Sequence, residues 1–226
     1  MTIIANSMQA IQVNIRDARL TAKRKDEVKL LAVSKSQPAD KLREVYEAGQ
    51  RAFGENYVQE AIHKQAQLNE CAIEWHFIGP IQSNKTQLIA QHFSWVQSVD
   101  RLKIAARLND ARPPSLPPLN VCIQINSSGE VSKSGVAPAQ LAPLARAVAT
   151  LPRLRLRGLM ALPAPTTDVN TQRGSFRGVR EQFDALCLAG LALDTLSMGM
   201  SEDLEAAIAE GATIVRVGTA IFGLRD

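Results

Sequence analysis

Eight short runs of strand-forming residues recur along the chain, separated by stretches of helical periodicity, and this alternation constrains the fold more than any other feature. The runs are Val28–Val33, Arg51–Gly54, Glu74–Ile78, Trp95–Val99, Val121–Asn126, Leu154–Met160, Leu193–Met198 and Ile214–Val217. The helical stretches are Ala39–Ala48, Val58–Leu68, Lys85–His92, Arg101–Asn109, Ala139–Thr150, Gln172–Leu188 and Glu202–Glu210, and a further amphipathic helix, about Met8–Thr21, precedes the first run. Several runs are nearly continuously apolar, as parallel strands covered on both faces require. Eight such units in 226 residues satisfy the count for an α/β fold of one closed (β/α)8 TIM barrel with an extra N-terminal helix. A doubly wound open sheet is the alternative. No repeat or linker divides the chain, so residues 1–226 are expected to form a single domain. The irregular stretch Arg112–Pro118 joins a helix to a strand and belongs at the stability face. Pro163–Thr171 follows a strand and belongs at the face where active sites form.

Composition narrows the function classes. With 46% hydrophobic and 21% charged residues, the chain reads as an ordinary soluble globular protein. No run of about 18 apolar residues exists, so no membrane span is expected. The start, Met1 to Asn6, is too short and too weakly basic for a signal peptide. Cys71, Cys122 and Cys187 are far apart and odd in number, which fits reduced thiols in a cytoplasmic protein rather than a disulfide frame or a zinc site. His63, His76 and His92 lack metal-ligand spacing. The net charge of +4 comes from dispersed residues apart from Lys23-Arg24-Lys25 and Arg153, Arg155 and Arg157. Aromatics are only 4%, too few for a base-stacking surface, so a small anionic ligand is expected rather than nucleic acid.

In a barrel the strand ends face one mouth, and ligand groups gather there. The first run ends Val33-Ser34-Lys35. Desolvation of a lysine at that place favours the neutral amine needed for a Schiff base, although a lysine at a strand end can also simply snorkel to water. The second ends Gly54-Glu55-Asn56-Tyr57, where Asn56 could orient a ligand or cap a helix. His76, alone on an apolar strand, reads as a satisfied core residue. Ser197-Met198-Gly199-Met200-Ser201 and Val217-Gly218-Thr219 supply backbone N–H groups and hydroxyls after the seventh and eighth strands, a common phosphate site in such barrels. Ordinary capping by Ser201 explains the same letters, and Glu202 and Asp203 must point away from any phosphate. Arg216 stands inside an apolar run and should project into the barrel, where its guanidinium needs an acceptor. A pyridine nitrogen is one candidate; an ion pair with Glu55 or Asp194 is the other. An amine, a hydroxyl-rich cup and a cation for a ring nitrogen are together the parts of a pyridoxal 5′-phosphate (PLP) site.

On these residues the chain, from about Ile11 to Asp226, resembles the pyridoxal phosphate homeostasis protein family, stand-alone relatives of the alanine racemase barrel domain. The resemblance is carried by Leu30 to Lys35, Phe53 to Tyr57, His76 to Lys85, Gly158-Leu159-Met160, Ser197 to Ser201 and Val215 to Gly223. It implies that Lys35 forms the internal aldimine, that Ser201, Gly218 and Thr219 hold the phosphate, and that Arg216 faces the pyridine nitrogen. It also implies that Asn56 and Met198 lie at the cofactor, with Lys133 a further candidate contact. The family role is to bind PLP, to hand it to PLP-dependent apo-enzymes and to balance vitamin B6 and amino-acid pools, without established turnover.

Two departures from the family pattern stand out. Ser36-Gln37-Pro38 replaces a segment that in many relatives carries another lysine, and the chain stops at Arg225-Asp226 where many continue in a polar or basic tail. The competing reading is a PLP-dependent amino-acid racemase. That chemistry needs a second base, a tyrosine from a separate domain and a partner subunit in the related enzymes. Tyr46 falls within a helix and Tyr57 at a helix start, so no turnover is expected; a monomer is expected because the domain that would build the racemase dimer is absent. A barrel binding another phosphate ester, with Lys35 as an aldolase-type amine, is the third reading.

Overall fold

The computed structural model of the protein describes residues 3–126 and 134–223. Eight strands form the centre: β1 (Lys29–Val33), β2 (Ala52–Glu55), β3 (Glu74–Phe77), β4 (Trp95–Val99), β5 (Leu119–Ile125), β6 (Leu154–Ala161), β7 (Thr195–Ser197) and β8 (Ile214–Val217). Around them run α1 (Ile3–Thr21), α2 (Ala39–Glu47), α3 (Val58–Gln67), α4 (Thr86–His92), α5 (Leu102–Ala111), α6 (Pro138–Ala149), α7 (Val169–Leu188), α8 (Leu204–Ala209) and α9 (Thr219–Phe222). Every strand pairs in parallel with its neighbours in sequence. Strand β8 returns to β1, with Lys29 opposite Ile214 and Ala32 opposite Val217, so the sheet closes into a barrel. That closure excludes the open doubly wound sheet, which would leave two unpaired edges.

The helices dock through apolar stripes at helical spacing. In α1 the buried residues are Ile4, Met8, Ile11 and Ile15. Full burial of each such side chain contributes about 1.5–3 kcal/mol, and this stripe explains why α1 starts at Ile3 rather than near Met8. In α3 the inward positions are Val58, Ala61 and Lys64, so a lysine occupies the third core position. The main core lies between the strands and the helices. Two smaller apolar clusters, Leu31 with Ala52 and Ile214, and Trp95 with Cys122 and Met160, form separately from it. His76, Gln97, Ser197 and Arg216 are also buried, so the interior is part polar.

Other element ends also differ from the sequence reading. Asp168 caps α7 by accepting the Thr171 N–H at 2.8 Å, which makes Val169 to Thr171 helical rather than irregular. Helix α8 begins at Leu204, because residues 201–203 form a turn, and Ser201 is therefore not its cap. Strand β7 shrinks to Thr195–Ser197. The proline-rich stretch after α5 does lie on the stability face, where buried Arg112 donates to the carbonyls of Ala90, Phe93 and Pro117.

Candidate functional site

A cavity of about 460 Å³ opens where the strands end, and Lys35, Asn56, Ser201, Arg216, Gly218 and Thr219 all line it. These are six of the seven residues expected to form one site. The seventh, Met198, is fully buried in the main core and is not a lining residue. Lys133 lies outside the described residues.

Lys35 is half-buried and stands just past β1 in a loop fixed on both sides. The carbonyl of Ser34 accepts Lys64 Nζ at 2.7 Å, and the N–H of Ser36 donates to Glu60 Oε1 at 2.6 Å. Lys64 Nζ also binds Glu55 Oε1 at 2.7 Å and Glu60 Oε1 at 2.5 Å, while Ser34 Oγ donates to Glu55 Oε1 at 2.7 Å. Both peptide groups beside Lys35 are thus tied to one buried ionic cluster. Ser36 adopts a φ of 60°, a conformation uncommon outside glycine that such outside bonds must hold in place. Burial pushes the Glu55 carboxyl up, and attraction to Lys64 opposes it.

Arg216 projects inward from β8 and is buried. Its Nη1 donates to Ser197 Oγ at 2.8 Å and its Nη2 to the Ala161 carbonyl at 2.8 Å. The ion pair considered from sequence does not form: Glu55 is paired with Lys64, and Asp194 with Arg157. Among the described residues Arg216 has no carboxylate partner, and burial lowers its pKa to about 10. Below it, His76 is the satisfied core histidine expected. It bonds Gln97 and Glu74, each at 2.9 Å, and stacks on Trp95.

The opposite wall is made of turns. Gly199 takes a φ of 95°, and an added Cβ would sit 2.4 Å from that of Ala207, so only glycine lets the chain turn from β7 towards Ser201. The Gly199 carbonyl accepts the Arg216 N–H at 3.0 Å, linking this turn to β8. Gly218 presses on β1, since a Cβ there would lie 3.2 Å from the Val33 oxygen. Asp203 and Glu202 also line the cavity. Asp203 Oδ1 binds the Met200 N–H at 2.5 Å, which commits that oxygen to the loop, and burial pushes its carboxyl up towards the neutral form. Neither tyrosine lines the cavity. Tyr57 is exposed, and the Tyr46 hydroxyl accepts the Ala72 N–H at 3.1 Å.

The model of the alanine racemase N-terminal domain matches residues 7–226. The pyridoxal phosphate homeostasis protein of Pseudomonas aeruginosa is 59% identical over 227 residues, covering 100% of this chain and 97% of that protein. The one from Escherichia coli K12 is 54% identical over 230 residues, covering 100% and 98%. The chain belongs to the pyridoxal phosphate homeostasis protein family. Among solved structures, PipY of Synechococcus elongatus with PLP bound superposes with a TM-score of 0.85 at 37% identity, covering 97% of this chain and 100% of that one. An alanine racemase from Corynebacterium glutamicum gives 0.71 at 20% identity, covering 98% of this chain and 60% of that one, and shows the fold alone.

In this member of the pyridoxal phosphate homeostasis protein family, several cavity residues escaped the sequence reading. Ile78 and Met160 supply apolar wall, and Thr166 from the β6–α7 connection and Gln172 from α7 supply polar groups. Gln172 Nε2 donates to the Thr166 carbonyl at 2.7 Å, which fastens that connection to α7. The sequence reading placed Pro163–Thr171 at this face without naming Thr166 as a site residue. The Glu55–Lys64 pair also went unread. The signal there was a lysine on the stripe Val58, Ala61, Lys64 that core residues should fill. Among the described residues no group of three His, Cys, Asp or Glu could hold a metal ion.

Proposed function

We propose that this protein binds PLP as a Schiff base on Lys35 and acts as an intracellular PLP carrier that supports vitamin B6 and amino-acid homeostasis, without turnover of its own. The observation that carries the reading is that Lys35 and Arg216 converge on one cavity with the glycine and hydroxyl groups of Ser201, Gly218 and Thr219. Lys35 would hold the cofactor through condensation of its amine with the aldehyde, with release of water.

The residues present fit the group. Asn56 Oδ1 is buried without a hydrogen-bond partner, a cost that a ligand donor would relieve. Arg216 spends two of its five N–H donors on Ser197 and Ala161, which leaves donors for a ring nitrogen. A guanidinium facing that nitrogen would keep it unprotonated, which would weaken the ring as an electron sink and restrain carbanion chemistry. Ser201 and Thr219 are exposed and offer hydroxyls to a phosphate, beside the backbone of Gly218. The likeness to PipY, solved with PLP bound, supports the same reading.

PLP-dependent apo-enzymes are the proposed recipients, and a cytoplasmic monomer is the proposed form. Three free cysteines suit a reducing compartment; the thiol of one, buried Cys122, is pushed up to about 12. No helix among the described residues is long and apolar enough to cross a membrane. Exposed large apolar side chains are scattered: Ile3 and Leu20 on α1, Leu102 on α5, Leu188 on α7, and Leu162 and Met200 at the cavity. Titration of the apo-protein with PLP tests the reading: a yellow band that saturates at one equivalent supports it, and no band at any concentration refutes it.

A further inference from the structure

A hydrogen-bonded chain crosses the barrel interior from Arg216 to the opposite rim. Arg216 Nη1 donates to Ser197 Oγ at 2.8 Å, and Ser197 Oγ donates to Gln97 Oε1 at 2.6 Å. Gln97 Nε2 donates to His76 Nδ1, and His76 Nε2 donates to Glu74 Oε1, both at 2.9 Å. Glu74 Oε1 also receives Lys29 Nζ at 2.8 Å. The first four residues are buried, whereas Lys29 and Glu74 line a separate cavity of about 440 Å³ at the N-terminal rim.

Every donor in this chain points the same way. A guanidinium can only donate, so the Ser197 hydroxyl proton is left for the Gln97 carbonyl. The Gln97 amide N–H then faces Nδ1, and the imidazole carries its proton on Nε2, towards the carboxylate. Burial keeps His76 neutral, as this arrangement requires. Hydrogen bonds in series polarise one another. A carboxylate at the far end makes each acceptor before it more electron-rich, and the anchor on Arg216 becomes firmer. The interior screens this influence far less than water would.

We propose that Glu74 is a positioning residue for Arg216, acting across the barrel through His76, Gln97 and Ser197, with Lys29 setting how much of its charge reaches the chain. The proposal rests on the PLP reading, in which Arg216 faces the ring nitrogen. Neither Glu74 nor Lys29 lines the cavity that holds Lys35.

Two substitutions at the rim separate this role from a merely structural one. Glu74→Gln keeps an acceptor oxygen and removes the negative charge; Lys29→Met removes the positive charge. Both break the same ion pair, so a structural role moves both in one direction. Charge passed along the chain moves them apart. PLP dissociation constants and the ratio of yellow to near-ultraviolet absorbance are measured for holo-protein of each variant. Glu74→Gln should weaken PLP binding by roughly 2- to 30-fold. Lys29→Met should leave binding unchanged or tighten it, and shift the absorbance ratio in the opposite sense. Ser197→Ala, which cuts the chain beside Arg216, should abolish the response to Glu74→Gln in the double variant. Glu74→Gln gives up the contribution of a carboxylate bonded to buried His76, so urea unfolding establishes that both rim variants are folded before PLP is added. Equal shifts of one sign, or a Glu74→Gln variant indistinguishable from wild type, would overturn the proposal. A wild type that binds no PLP would refute the underlying reading, and the proposal with it, before any variant is compared.

Discussion

Lys64 Nζ lies 2.7 Å from the carbonyl oxygen of Ser34, the residue immediately before Lys35. A buried ammonium on α3 therefore grips the peptide that presents the candidate cofactor lysine, and the same ammonium is neutralised by Glu55 and Glu60. Removing it leaves Glu55 buried without its counter-charge. Lys64→Met should destabilise the fold by about 3–5 kcal/mol, measured by urea unfolding. Adding Glu55→Gln should recover a large part of that loss. A Lys64→Met variant as stable as wild type would show that the cluster is not what holds this loop.

Arg216 is buried and makes no ion pair among the described residues, although Asp203, on the same cavity, attracts its charge. Its burial is thus a cost to folding that the proposed contact with the cofactor would offset. Arg216→Met should be at least as stable as wild type in thermal melting without PLP. Its PLP affinity should fall by about ten- to a hundredfold, the worth of one charge-assisted hydrogen bond. Unchanged affinity would remove Arg216 from the site.

Acid stability should depend on His76. Burial lowers its pKa below the ordinary 6.5, so the unfolded chain takes up a proton that the folded protein refuses. Stability is then full above pH 6.5 and falls as the pH drops below it. Glu74 acts lower down. Its hydrogen bond from His76 leads the causes that hold its carboxyl at about 2 against an ordinary 4.5, so its contribution is lost as pH falls from 4.5 towards 2. Glu55 and Asp203 are raised by burial and act in the opposite sense. The difference between wild type and His76→Gln isolates the histidine. Denaturant unfolding should show the variant losing less stability than wild type between pH 6.5 and 4.5. Parallel curves across that interval would contradict it.

Gly199 carries the turn between β7 and Ser201. Gly199→Ala meets both a φ of 95° and the Ala207 Cβ at 2.4 Å, so it should cost about 1–3 kcal/mol. Calorimetry would show the lowered melting temperature. PLP should also bind more weakly, because the turn orders Ser201. An alanine variant with wild-type melting and affinity would show that the turn relaxes freely.

The barrel was legible because each strand covered on both faces leaves a run of apolar residues, and eight such runs admit few arrangements. Arg216 was legible for a related reason: strand side chains alternate, so one charge between Val215 and Val217 has to face the interior. Ends were less legible. Leu193 is apolar and packs against the core from outside the ladder, so it lengthened the seventh run beyond Thr195–Ser197. Met198 shows the same limit at the site, since an apolar residue in a motif does not reveal whether it faces ligand or core. The Lys64–Glu55 pair was missed because it joins α3 to β2, with Glu55 considered as a partner for Arg216 instead.

The most direct test of the central claim is mass mapping of the wild-type protein after incubation with PLP and reduction by borohydride. Reduction fixes the imine as a stable secondary amine on whichever lysine carries it. A phosphopyridoxyl group on the peptide containing Lys35, near one per chain, is the predicted result. A protein that carries none, or carries it mainly on another lysine, would contradict the account.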